Sequence, residues 1–121
     1  MKKSRTQLVQ SISWQEIEKG YTELIKNGLT IMPMLDLVMH IQKTGLSNRL
    51  FASMSMQKLV IGIYEELEWN NETLHVEFSN QERKWLFTYY SGSSKSINYN
   101  RVYNEEQGIE KFDQFISNIN W

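Results

Sequence analysis

Apolar positions along this chain recur at two spacings, and the change from one to the other divides it. Trp14, Ile17, Tyr21, Leu24 and Ile25 recur at helical spacing and predict an amphipathic helix over 14–26. Its start is marked by Ser13, with Glu16 three residues on completing a capping box, and its end by Asn27-Gly28. A second helix is expected over 33–44, opened by Pro33 and closed by Thr44-Gly45. Its apolar set (Met34, Leu35, Leu37, Val38, Met39, Ile41) is broader than one stripe, so this helix is sandwiched or faces a partner.

Strand patterning follows. The continuous run Leu59 to Tyr64 reads as a central strand. Thr73 to Ser79 alternates, with Leu74, Val76 and Phe78 on one side and Thr73, His75, Glu77 and Ser79 on the other. Aromatic-rich Trp85 to Tyr90 and the weaker Ile97 to Tyr103 complete the set, while Leu50 to Met56 gives a short extended segment not counted as a strand. Ile109, Phe112, Phe115, Ile116 and Ile119 return to helical spacing behind an Asn104…Gln107 cap. The expectation is an α+β fold: a single two-layer domain over 1–121, with a four-stranded, mostly antiparallel sheet, two N-terminal helices and one C-terminal helix. Residues 1–10 read as a polar, partly flexible lead-in.

Composition then narrows the chemistry. The chain has 121 residues, 13 Lys+Arg against 14 Asp+Glu, and no Cys. Near-neutral charge and dispersed basic residues argue against nucleic acid as a partner. The missing thiol removes disulfides, cysteine nucleophiles and Cys-ligated zinc. His40 and His75 are the only histidines, and no metal-ligand spacing, phosphate loop or nucleophile elbow occurs, so neither metal nor cofactor is expected. No apolar run approaches the length of a membrane span, and the Lys2-Lys3-Ser4-Arg5 start is not followed by an apolar segment, which points to the cytoplasm without membrane attachment. A single Ala beside abundant Asn, Ile, Lys and Ser fits an AT-rich bacterial coding sequence.

One asymmetry is useful. From Leu59 to Glu82 the chain carries Glu65, Glu66, Glu68, Glu72, Glu77 and Glu82 and no Lys or Arg, so this stretch holds −6 of a total of −1. Such a run creates a local negative field. Trp69 sits inside it, and an indole rimmed by carboxylates has the make-up of an interface anchor for a basic protein. The expected binding residues are Glu65, Glu66, Glu68, Trp69, Glu72 and Glu77, on an acidic hairpin. In size, composition and acidic patch the chain resembles the small immunity proteins that neutralise toxins, basic nucleases among them; the resemblance implies tight, charge-steered binding without catalysis. Two alternatives stand beside it. One is a small-ligand protein or enzyme with a pocket between helices and sheet, built from His75, Glu77, Tyr89 and Arg101. The other is a homo-oligomer, for instance a homodimer, joined through Met32, Met34 and Met39 of the second helix.

Overall fold

In the computed structural model, residues 8–68, 72–91 and 97–121 are described. The elements follow the order β1 (Leu8–Gln10), α1 (Trp14–Lys26), α2 (Met32–Lys43), β2 (Phe51–Ser55), β3 (Lys58–Gly62), β4 (Glu66–Glu68), β5 (Thr73–Ser79), β6 (Lys84–Tyr90), β7 (Ile97–Asn104) and α3 (Gly108–Asn118). The fold is α+β, with three helices on one side of an antiparallel sheet.

That sheet has five strands, not four, in the order β2-β3-β5-β6-β7. The extra strand is β2, which pairs with β3 from Phe51↔Gly62 to Ser55↔Lys58. Its residues carry little periodicity because only Ala52 and Ser53 are buried. A second, two-stranded sheet joins β1 to β4, from Leu8↔Glu68 to Gln10↔Glu66. Leu8–Gln10, expected within the lead-in, is therefore a strand. Ile12 continues from β1 to bridge Ala52 at the free side of β2.

Local chemistry accounts for the helices. At α1 the capping box is complete: the Glu16 amide donates to Ser13 Oγ at 3.1 Å and the Ser13 amide donates to Glu16 Oε1 at 3.3 Å. Gly28, at φ 106°, turns the chain away afterwards. Pro33 lies in the first turn of α2, where its missing amide costs nothing. Asn104 and Gln107 also form a capping box, but a 3₁₀ turn over Glu105–Gln107 intervenes before α3 begins at Gly108.

The register sorts the sheet's two faces. Leu59, Ile61, Leu74, Val76, Phe78, Trp85 and Phe87 meet Ile17, Tyr21, Met34, Leu37, Ile41, Phe112 and Ile116 in one core cluster. Ile17, Leu37, Ile61, Phe87 and Phe112 are all 0% exposed, so the space between the layers is filled. Trp85 stands edge-on to both Phe78 and Phe87, at 5.3 Å and 6.1 Å. On the opposite face Ser53, Val60, His75, Thr88 and Asn100 lie in register across all five strands.

Candidate functional site

The chain does not run from β3 to β5 as a simple hairpin. It leaves the main sheet at Gly62, forms β4 against β1, and returns at Thr73. A Cβ on Gly62 would lie 2.9 Å from Leu67 Cδ2 and 3.2 Å from the Glu72 carbonyl oxygen, so the arm folds back tightly on the end of β3. Leu67, 4% exposed, anchors the arm, and the Ser11 amide donates to the Glu65 carbonyl at 3.3 Å. With Leu67 inward, the adjacent Glu66 is exposed on the other side of the strand, and in the bend before β4 Glu65 is exposed and Tyr64 is 47% exposed.

The six glutamates consequently do not form one surface. Glu65 and Glu66 share the arm, with Glu68 paired through its backbone to Leu8. Trp69 lies outside the described residues, as does the Asn70-Asn71 turn. Glu72 is already engaged: the Tyr89 hydroxyl donates to its Oε2. Burial, then this hydrogen bond and the carboxylate charge, push the Tyr89 hydroxyl up to about 12. Tyr89 also stacks edge-on with Phe115 at 5.4 Å and Trp121 at 6.2 Å, so Glu72 works as a fastener between the arm and the core. Glu77 is five strand residues beyond Glu72, roughly 17 Å away along β5. There it is half-buried on the outer face, with Lys84 on the same face two residues along from its partner Leu86. Lys58 comes level with it one step past the Leu59↔Val76 pair. Glu82 is in the following turn, next to Arg83, whose guanidinium is spent on Glu105 at 2.9 Å and 3.1 Å. That hydrogen bond outweighs an opposing desolvation effect and, with a lesser contribution from the Arg83 charge, holds the Glu105 carboxyl below its usual range. Among the described residues, Glu65 and Glu66 on the arm have no ion-pair partner, while Lys58 and Lys84 lie beside Glu77 at the far end of β5.

The alternative pocket does not assemble. Tyr89 pairs with Leu74 and Arg101 with Phe87, on the helix-covered face, whereas His75 and Glu77 pair with Thr88 and Leu86 on the outer face. The four side chains are separated by the sheet. Grooves open elsewhere, one of about 610 Å³ on the outside of α1 and α2 and one of about 310 Å³ beside the β5–β6 turn. Of the three methionines on α2, Met34 is buried in the core, while Met32 and Met39 are surface residues. Among the described residues no group of three His, Asp or Glu is placed to hold a metal ion, and no helix is long and apolar enough to cross a membrane.

His75 has a structural explanation. Its ring packs against Tyr90 at 4.7 Å, and its Nδ1 is buried without a hydrogen-bond partner among the described residues. Burial, helped by the Lys58 charge, pushes its pKa down to about 4. Between the ordinary value near 6.5 and 4, the unfolded chain binds a proton that the folded chain refuses. Stability therefore falls on acidification through that window and is regained above it, by about 2 kcal/mol after allowing for the ring's partial exposure. Urea denaturation at pH 7 and pH 4 measures this, and His75→Asn should remove most of the difference. An unchanged difference in that variant would assign the acid sensitivity to other groups.

The acidic stretch is evident in the sequence, whereas Tyr64 reads there as the last residue of the apolar run. The signal was the Glu65-Glu66 pair directly after it, since a buried strand does not end on an aromatic and two adjacent charges without turning outward. Comparison with protein-family models, curated proteins and solved structures returns no match for this chain.

Proposed function

We propose that this chain is a non-enzymatic protein-binding domain that engages a basic partner through the arm between β3 and β5. The observation that carries the reading is the exposed Tyr64-Glu65-Glu66 set on a segment that has left the main sheet, within a stretch that has no Lys or Arg from 59 to 82. Exposed aromatics supply contact area at low entropic cost, and neighbouring carboxylates steer a cationic partner and fix its register. Glu68 and Trp69 extend the set along the sequence. Glu72 is left out because Tyr89 holds it, and Glu77 because Lys58 and Lys84 flank it. An immunity or antitoxin role, in which a basic toxin is covered without chemistry, is the specific form this reading takes.

The test is charge reversal. Glu65→Lys with Glu66→Lys should abolish capture of a basic protein from extracts of the producing cell. The melting temperature should stay within roughly 2 °C, because both side chains are exposed. Capture by the unaltered chain should weaken with added salt. Capture that survives both the reversal and high salt would refute the acidic arm as the binding surface.

A further inference from the structure

The outer side of α2 carries a pattern that neither the core nor the arm explains. Pro33, Met34, Leu37, Val38 and Ile41 face inward. The residues at the opposite spacing, Met32, Asp36, Met39 and Lys43, are exposed, and both methionines are 48% exposed. Beside this stripe lies the groove of about 610 Å³, lined by Glu18, Asp36, Met39, His40, Gln42 and Lys43. Most of its polar walls are already satisfied within the chain. Gln42 Nε2 donates to Glu18 Oε1 at 2.8 Å, and His40 Nε2 meets Asp113 on α3 at 2.9 Å. Asp36 and Lys43 are the exceptions, since neither has an ion-pair or hydrogen-bond partner among the described residues.

We propose that this face of α2 is the interface of a two-fold symmetric homodimer, with Asp36 of each copy paired to Lys43 of the other. This face is complementary to itself. A two-fold interface must present the same patch twice, so that residue i meets j and j meets i. Asp36 and Lys43 are opposite charges two turns apart on one stripe, about 10 Å along the axis, with Met39 between them. An antiparallel pair of α2 helices with its axis level with Met39 and His40 closes both Asp36–Lys43 pairs together. The same register seats each Met39 in the other copy's groove, where an unbranched thioether adapts to an irregular wall. It also brings Met32 over the 3₁₀ turn Leu46–Asn48 of the second copy. A parallel register sets Asp36 against Asp36 and Lys43 against Lys43, which repels. The contact is small, so a concentration-dependent dimer is expected rather than an obligate one.

Sedimentation of the full chain at two concentrations roughly a hundredfold apart tests this. The expected species shifts from the 14.4 kDa chain toward twice that mass. Asp36→Lys alone and Lys43→Asp alone should each weaken association by about tenfold or more, since each sets like charges face to face. The double variant carrying both changes should recover it, which also separates a lost contact from a lost fold. A monomer at both concentrations overturns the proposal. So does a dimer indifferent to the single changes, or a double variant no better than the singles.

Discussion

Gly108→Ala should cost this protein about 3 kcal/mol or more and lower its melting temperature by roughly 10–15 °C. The conformation of Gly108 gives no hint of this. At φ −60° and ψ −45° it is ordinary helical backbone, where alanine would normally gain up to about 1 kcal/mol. The obstacle is Trp85. A Cβ on Gly108 would lie 2.0 Å from Cε2, 2.2 Å from Nε1 and 2.5 Å from Cδ2 of that indole. The ring cannot swing aside, because it is 1% exposed, packed edge-on between Phe78 and Phe87, and its Nε1 donates to the Glu105 carbonyl at 2.8 Å. Admitting the methyl means lifting the start of α3 off the sheet or breaking that hydrogen bond inside the core, and each costs several times the helical gain. Thermal and urea unfolding measure the outcome. A loss under about 1 kcal/mol would show that α3 can slide freely on β6.

Phe112→Ala, one turn further along the same helix, should cost about 3–5 kcal/mol. Phe112 is 0% exposed in the single core cluster, and its neighbours there are held from several directions. Phe115 is set by Tyr89, Tyr99 and Trp121, and Trp121 is in turn held by Arg49 Nε donating to its carbonyl oxygen at 3.0 Å. A site constrained in this way cannot collapse onto the cavity, which places the cost toward the upper part of the range. Since a domain's whole net stability is on the order of 5–15 kcal/mol, this variant should be partly unfolded near body temperature. Urea unfolding reads the difference directly, and a change below about 2 kcal/mol would mean that the cavity is refilled by its neighbours.

The elements whose local chemistry agrees with their packing were legible in the sequence. Helix 14–26 carries its own start signal at Ser13 and Glu16, and the structure gives Trp14–Lys26. The strand at 73–79 shows strict alternation because one face is covered, and its bounds match. Thr73, however, is 7% exposed despite its outward position. Elements whose stability comes from distant partners were not legible. Leu8–Gln10 and Glu66–Glu68 are three residues each, too short for any period to register, and they exist because they pair across more than fifty residues of chain. β2 reads in the sequence only as an extended segment, since its pattern is broken by polar and exposed residues along one side.

The candidate site was legible in composition but not in geometry. Counting charges found six glutamates, yet the pairing register decides which of them are neighbours. Glu77 is carried down β5 to Lys58 and Lys84, and Glu72 is taken by Tyr89, a contact across the β5–β6 ladder that linear sequence does not display. The same register places His75 and Glu77 on the face opposite Tyr89 and Arg101, so the four residues named for a ligand pocket do not line one together. What remains is a smaller surface than charge counting implied, set on an arm rather than a hairpin and led by Tyr64.

Site-specific photo-crosslinking from that position tests the arm most directly. A benzophenone side chain replaces Tyr64 in the full chain within the producing cell, and a control chain carries it at Val102, which is 61% exposed on β7. Position 64 should yield a covalent adduct with one protein richer in Lys and Arg than in Asp and Glu, and the adduct should disappear when Glu65 and Glu66 are changed to Lys. An absent adduct at 64, equal labelling from 102, or an adduct that survives the charge reversal would contradict the assignment of the arm as the partner-binding surface.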